Sequence, residues 1–231
     1  MLCILSFVFN TTALSQDIDI KNNSYFYPNR LETGKFIHTL GLSLANLPED
    51  IVESDDVFRA PLISYKTKTG LIKNFLVEGG IETNLITLHL ALGPKWVHEF
   101  DRLNLSIGGD AAYFLGALNQ SGFKIKINGL IVYPNLTLGY LFPNFSLTLK
   151  SELVLVLDQT IKTENVEVTG SFKTFSGYSF ALFLEQPLWK DNFFVIGIKT
   201  SFIKFYYPIW ITFSTFDRFF FIPELVFSFN L

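Results

Sequence analysis

One stretch constrains this chain more than any other: Phe219-Phe-Phe-Ile-Pro-Glu-Leu-Val-Phe-Ser-Phe-Asn-Leu231. From Glu224 onward it alternates strictly. Leu225, Phe227, Phe229 and Leu231 fall on one side, and Glu224, Val226, Ser228 and Asn230 on the other. Successive side chains of a strand point to opposite faces, so this is a strand with one greasy face and one mostly polar face. A flat, open edge of this kind in water would template aggregation. In hydrocarbon it is stable only when it pairs and closes a barrel, because lipid cannot satisfy free backbone N–H and C=O groups.

The same rhythm recurs along the chain. Alternating segments run near 35–45, 57–66, 71–81, 86–92, 103–117, 123–142, 145–157, 171–189, 193–212 and 219–231. The cleanest places Phe145, Leu147, Leu149, Leu153, Leu155 and Leu157 opposite Ser146, Thr148, Lys150 and Glu152. Only 17% of residues are charged and 16% are aromatic, whereas soluble domains carry about 25% charged residues. The excess apolar surface must face something. No run reaches the roughly 18 consecutive apolar residues of a membrane helix, so short lipid-facing strands are the outlet. A soluble lipid-binding barrel would turn its greasy face inward and place charges outside. Here the opposite face is mainly Ser, Thr, Asn and Gly, which suits a tight lumen. The apolar phase changes near Glu82-Thr83-Asn84, marking a turn or bulge, and again at Pro134, where a lost ladder donor predicts a bulge. Reading Asn128-Gly129 as a hairpin turn would spoil even strand parity and ranks second.

The terminal aromatic strand resembles the closing strand of bacterial outer-membrane β-barrels. The resemblance is to that class and to no narrower family. It implies an all-β fold: a single antiparallel up-and-down transmembrane barrel of about ten strands over residues 34–231. It also implies an outer-membrane location with both termini in the periplasm, surrounding outer-membrane lipids, and recognition of the C-terminal strand by the barrel-assembly machinery. Short periplasmic turns are expected at 67–70, 94–102, 143–144 and 190–192, and longer outer loops at 46–56, 118–122, 158–170 and 213–218. The apolar run Met1–Phe9 followed by Ala13-Leu-Ser15 reads as a signal peptide over 1–15. Residues 16–33 read as an N-terminal periplasmic segment, a short plug or lid. Cys3, the one cysteine, would leave with the signal peptide, so the mature chain has no disulfide.

A net charge of −3 makes no case for a nucleic-acid partner. No cofactor or metal is expected. His89 and His98 do not have ligand spacing, and Gly79-Gly80 and Gly108-Gly109 read as sheet glycines that permit bending. The inward-facing polar residues are the candidate lumen cluster: Glu78, His89, Asp110, Lys150, Glu152, Glu185, Lys199 and Glu224. Lys199 with Glu224, and Lys150 with Glu185, fall on neighbouring strands as expected pairs. Buried charges need partners, so the cluster reads as a salt-bridged filling. The alternative is a narrow solute or ion site. About eight strands enclose only side chains, while roughly sixteen leave an aqueous channel, so ten argue against a general pore. The expected function is structural, adhesive or accessory, with a protein partner in a larger envelope complex. The alternative is an enzyme acting on lipid or peptide, as among the lipid A deacylases, palmitoyltransferase, phospholipases and omptins of this architecture. The His-Ser-Asn signature of the deacylases is absent. His38, His89 and His98 all fall toward the expected periplasmic side, so no catalytic residue is assigned.

Overall fold

The computed structural model describes residues 20–48, 59–120, 123–163, 166–168, 174–189, 192–210 and 218–231. The expected signal peptide, residues 16–19 of the expected N-terminal segment, residues 190–191 of the expected turn at 190–192 and parts of the expected outer loops lie outside them. The strands are β1 (Phe36–Asn46), β2 (Arg59–Ile72), β3 (Phe75–Thr83), β4 (Thr87–Phe100), β5 (Leu103–Gln120), β6 (Phe123–Leu141), β7 (Ser146–Thr163), β8 (Val166–Val168), β9 (Phe175–Trp189), β10 (Asn192–Ile203) and β11 (Phe220–Asn230). Each pairs antiparallel with the next from β1 to β7; β7 then pairs with β9, and β9 with β10. β10 pairs with β11, and β11 returns to β1 with Leu42 opposite Phe227. β8 pairs only with Ile161–Thr163 of β7, beyond the reach of β9. The fold is therefore a single closed antiparallel barrel of ten strands, as the alternation predicts.

Turns at 73–74, 101–102 and 142–145 lie at the end that carries residues 20–35 and Leu231, here the terminal end. The opposite end is the loop end. Two expected turns move. Thr67-Lys68-Thr69-Gly70 stays in β2, which continues to Ile72, because Lys68 and Gly70 face an inserted segment described below. Gly93-Pro94 lies within β4, which runs to Phe100. The ladder to β5 skips these two residues, since Pro94 has no N–H to give, and resumes at Lys95 opposite Gly108. The expected bulge at Pro134 is absent. β6 keeps its phase against β5 throughout, with Pro134 opposite Gly109, and its register shift against β7 lies between Leu130 and Ile131. The apparent phase change is chemical: the inner face passes from polar Thr137 and Asn135 to apolar Ile131 and Ile127, all buried. Likewise the expected strand to 212 stops at Ile203, and a short 3-10 turn with Pro208 follows at Tyr207–Ile209.

The outer face is apolar on every side, with Leu40, Ile63, Ile81, Leu92, Ile107, Leu138, Leu153, Leu182, Ile198 and Leu225 all exposed. Toward the terminal end lies a ring of aromatic contacts: Phe36–His38–Tyr65, Trp96–His98–Phe100, Tyr140–Phe142–Phe145 and Trp189–Phe229. Toward the loop end, Phe175, Tyr178, Phe202 and Phe219 form a second group. An apolar belt between aromatic girdles on a closed barrel is the surface that lipid requires. No helix among the described residues is long and apolar enough to cross a membrane.

Leu149 is exposed between the girdles, opposite Leu138 and Leu182, whereas Thr69 lies near the terminal girdle, opposite Phe36. Leu149→Arg is expected to cost about 2–4 kcal/mol of folding free energy in lipid vesicles, and Thr69→Arg about 0–1 kcal/mol. Denaturant titrations of the two variants check the depth assignment.

Candidate functional site: a lumen stoppered at both ends

Inward positions on the strands are fixed by parity, and the lumen they line is filled in three layers. At the terminal end the chain's own residues 20–33 enter the barrel. A single helical turn, Ile20–Asn23, leads into a bent, non-helical Tyr25-Phe26-Tyr27-Pro28. Glu185, fully buried on β9, accepts the backbone N–H groups of Tyr25 at 2.8 Å and Tyr27 at 2.7 Å. Asn230 donates to the same carboxylate at 3.0 Å and Ser146 lies 3.4 Å from it. Lys68 donates to the Tyr27 carbonyl at 3.1 Å and to Asn29, and Asn104 donates to the Pro28 carbonyl at 2.8 Å. Phe26 stacks on Phe183 at 4.0 Å between centroids. Gly139 leaves the space that the Tyr27 ring and Pro28 occupy; a Cβ there would collide with both. At the rim Glu99 bridges to Lys21 at 3.0 Å and accepts the Arg30 N–H at 2.9 Å.

The loop end is closed by a different chemistry. After Ile203 the chain turns inward, with Lys204 N–H on the Ser176 carbonyl at 2.7 Å and Phe205 N–H on the Ser176 hydroxyl at 3.2 Å. Tyr206 and Trp210 are buried against Phe114, Ile127, Ile131, Val156 and Ile222. Gly116 makes room for the Trp210 ring. This apolar stopper explains why the inner face of β6 loses its polar character above Asn135.

Between the stoppers runs a belt of paired charges. Lys95, fully buried on β4, donates to Asp110 at 2.6 Å and to Asn135 at 3.0 Å, with Glu78 at 3.8 Å. Lys66 pairs with Glu82 at 2.7 Å, and Glu82 also faces His89 at 3.6 Å and accepts from the Tyr207 phenol. His89 stacks on Tyr207 at 4.3 Å. Lys150 pairs with Glu152 at 2.7 Å, and Lys199 approaches the same carboxylate at 3.8 Å. A cavity of about 160 Å³ remains, bordered by Lys66, Glu82, His89, Glu152, Lys199 and Glu224. Burial, helped by neighbouring carboxylates, pushes the phenols of Tyr25, Tyr206 and Tyr207 well above their ordinary range, so each stays a proton donor.

All eight residues of the expected cluster point inward. Seven of them form the belt. Glu185 does not: it lies lower, on the N-terminal segment. Lys150 and Glu185 share neighbouring strands without meeting, because Lys150 stands opposite Ala181 and Glu185 opposite Ser146. Lys199 and Glu224 are direct register partners on β10 and β11. The ion pair that Lys199 makes within 4 Å is nonetheless to Glu152, and Glu224 faces the Tyr206 phenol. His89 sits in the loop-end half, not toward the terminal end, because β4 continues well past Gly93-Pro94. His38 and His98 lie on the outer aromatic girdle. The reading by segments missed Lys66, Lys68, Glu82 and Lys95. Extending strand parity would have found them: Lys66 and Lys68 are in phase with inward Leu62, and Lys95 with His89. No group of three or more His, Cys, Asp or Glu side chains among the described residues is arranged to hold a metal ion.

Closure, a lipid-facing belt and a polar lumen define a bacterial outer-membrane β-barrel at the level of class. No protein-family model and no curated protein sequence matches the chain. Solved barrels do match in fold. Neisserial surface protein A is 10% identical, covering 85% of this chain and 96% of its own, with a TM-score of 0.41. The translocator domain of the autotransporter NalP from Neisseria meningitidis is 10% identical, covering 84% and 86%, with a TM-score of 0.45. The outer membrane phospholipase A from Escherichia coli is 10% identical, covering 91% and 93%, with a TM-score of 0.38. These likenesses are of overall fold alone, and nothing those proteins do is carried over to this chain.

Glu152 is the carboxylate shared by two lysines. Removing one partner of a buried ion pair typically costs about 3–5 kcal/mol, so Glu152→Gln is expected to fall in that range. Lys150→Met should cost less in the Glu152→Gln background than alone. A double-mutant cycle on denaturant unfolding curves measures the difference. At the terminal end, Glu185→Gln leaves one carbonyl where two backbone amides converge. It should cost about 1–3 kcal/mol and speed proteolysis within residues 20–33 while the barrel stays folded.

Proposed function

We propose that this protein is a sealed outer-membrane barrel with a structural or accessory role in the envelope, not a conduit. The observation that supports this most is the double stopper: residues 20–33 at one end, Tyr206–Trp210 at the other, and a charge-paired belt between. The termini face the periplasm in this reading, the signal peptide over 1–15 is removed, and the C-terminal strand Glu224–Leu231 is the segment that the assembly machinery engages. The outer loops are then the surface for adhesion or for a protein partner in a larger complex. The reading assigns no catalysis, since both stoppers separate the charged belt from lipid and peptide substrates. A second reading, a solute site in the lumen, is favoured by the residual cavity of about 160 Å³. Its walls keep Lys66 and Lys199 about one-third accessible, with side-chain exposures of 33% and 32%.

Planar-bilayer recording tests the sealed reading. The intact protein is expected to give no steady conductance. Deleting residues 20–30 together with Tyr206→Ala, Tyr207→Ala and Trp210→Ala should produce one. Steady conductance by the unaltered chain would overturn the proposal.

A further inference from the structure

We propose that the cavity between the two stoppers is a binding site for a small organic amine: one ammonium group on an apolar body of about one ring. The proposal rests on the lumen-site reading given second above and deepens it. A resident amine fills the lumen further, so it is compatible with an absence of steady conductance. The cavity of about 160 Å³ is close in size to the roughly 150 Å³ of a protein cavity that holds benzene. Its walls combine a charge left over, an apolar floor and a buried nitrogen without a partner.

Pairing uses up the belt's ammonium groups before its carboxylates. Lys66 takes Glu82 at 2.7 Å and Lys95 takes Asp110 at 2.6 Å. Lys150 takes Glu152 at 2.7 Å, with Lys199 3.8 Å from the same carboxylate. Glu78 comes only as a second carboxylate to Lys95, at 3.8 Å. Glu224 has no ammonium within 4.0 Å among the described residues. Its register partner Lys199 reaches toward Glu152 instead, and its contact is the Tyr206 phenol. These five carboxylates stand against four ammonium groups, an excess of one negative charge. One layer lower, Lys68 and Glu185 add one charge of each sign and leave the excess unchanged. Glu224 is only 6% exposed, and a carboxylate so buried is costly without a counter-charge. His89 does not supply it. Its Nδ1 lies 3.6 Å from Glu82, too far for the hydrogen bond that an imidazolium would make. A bound monocation restores neutrality, whereas an anion would double the excess and a neutral molecule would leave it.

The terminal side of the cavity is apolar. Phe26 of the terminal stopper stacks on Phe183 at 4.0 Å, and Ala181 and Val226 pack with them. Leu62 and Leu76 continue this surface on β2 and β3. Val226 and Glu224 are successive inward positions of β11, about 7 Å apart along the strand. A one-ring amine spans that step, with its body on the floor and its ammonium at the carboxylate. On the loop side Tyr206 and Tyr207 border the cavity, and an ammonium beside their rings gains a further attraction. His89 supplies the third observation. It is 4% exposed, lines the cavity, and its Nδ1 has no hydrogen-bond partner. Its Nε2 lies 3.4 Å from the Tyr133 hydroxyl; with the ring proton on that side, Nδ1 is an acceptor. A buried acceptor without a donor needs explaining, and an ammonium brings three donors to this region.

The test is equilibrium dialysis of the full-length protein in detergent, with empty micelles as the blank. The probes are benzylamine, benzyl alcohol and benzoate, which share a ring and differ in charge. Each is present from the start of refolding, so neither stopper has to open. The expected result is one benzylamine held per barrel, roughly tenfold or more tighter than the other two, since hydrogen bonds to charged groups are the stronger kind. Glu224→Gln keeps the shape, removes the excess charge, and should bring benzylamine down to the level of benzyl alcohol. Lys199→Met enlarges the excess and should tighten benzylamine binding severalfold. Either variant carries the test alone if the other does not fold, with heat-dependent gel mobility as the folding check. Equal or stronger binding of benzyl alcohol or benzoate, or benzylamine binding that neither variant changes, would overturn the amine assignment while leaving a lumen site. Retention of none of the three would overturn the lumen-site reading itself, and the proposal with it.

Discussion

Everything in this molecule depends on the pairing of β1 with β11. Without it, two strands would present unpaired N–H and C=O groups to hydrocarbon, at several kcal/mol each by the ordinary cost of an unsatisfied buried polar group. With it, each of the ten strands has two neighbours and the backbone is satisfied within the wall. Closure also fixes which side chains face in. A ring cannot slip one strand by a single residue without exchanging its lipid and lumen faces. That is why the inward assignment of all eight polar residues follows once the ring is closed.

Closure creates a second demand. Ten strands enclose more space than the wall's own side chains fill, as the small filled barrels of about eight strands indicate. The chain meets the demand by folding two of its non-strand segments inside. At the loop end the filling is apolar, with Trp210 and Tyr206 packed on Phe114 and Ile222. At the terminal end an irregular peptide without secondary structure of its own is used, and such a peptide carries backbone donors and acceptors that a greasy wall could not satisfy. Glu185, Lys68 and Asn104 satisfy them. A buried carboxylate alone is costly; Glu185 is stable because two backbone amides and the Asn230 amide converge on it. The same residues explain why Gly139 is glycine: the wall there must stay thin.

The charged belt shows where linear reading reached its limit. Parity told which face each residue takes, and that was enough to list Glu78, Asp110 or Glu152. It could not give heights, because the stagger of a closed barrel shifts each strand against the next. So neighbouring strands alone suggest Lys150 with Glu185, whereas the partner of Lys150 is Glu152 on its own strand, and His89 lies in the loop-end half of β4. Polar or proline-bearing stretches also look like turns while lying inside strands. Thr67–Gly70 is polar because it lines the plug, and Gly93-Pro94 interrupts only the ladder to β5. The lysines on those stretches, Lys68 and Lys95, therefore face the lumen at positions that local composition marks as turns.

The sequence by itself determined the class: alternating apolar and polar residues in some ten short segments can be stable only as a closed sheet whose greasy face meets lipid. Within the segments it located, it determined also which residues face the lumen, since a strand has a period of two; the bounds of β2 and β4 and the unbroken phase of β6 at Pro134 came from the structure. Only the tertiary structure decided what fills that lumen. Whether Tyr25–Pro28 hangs free or lies against Glu185 depends on contacts between residues about 160 positions apart, which no local pattern encodes. The same holds for the inward turn of Tyr206–Trp210, whose aromatics read as a continuing strand until Phe114, Gly116 and Ile127 are seen to leave the hole they occupy.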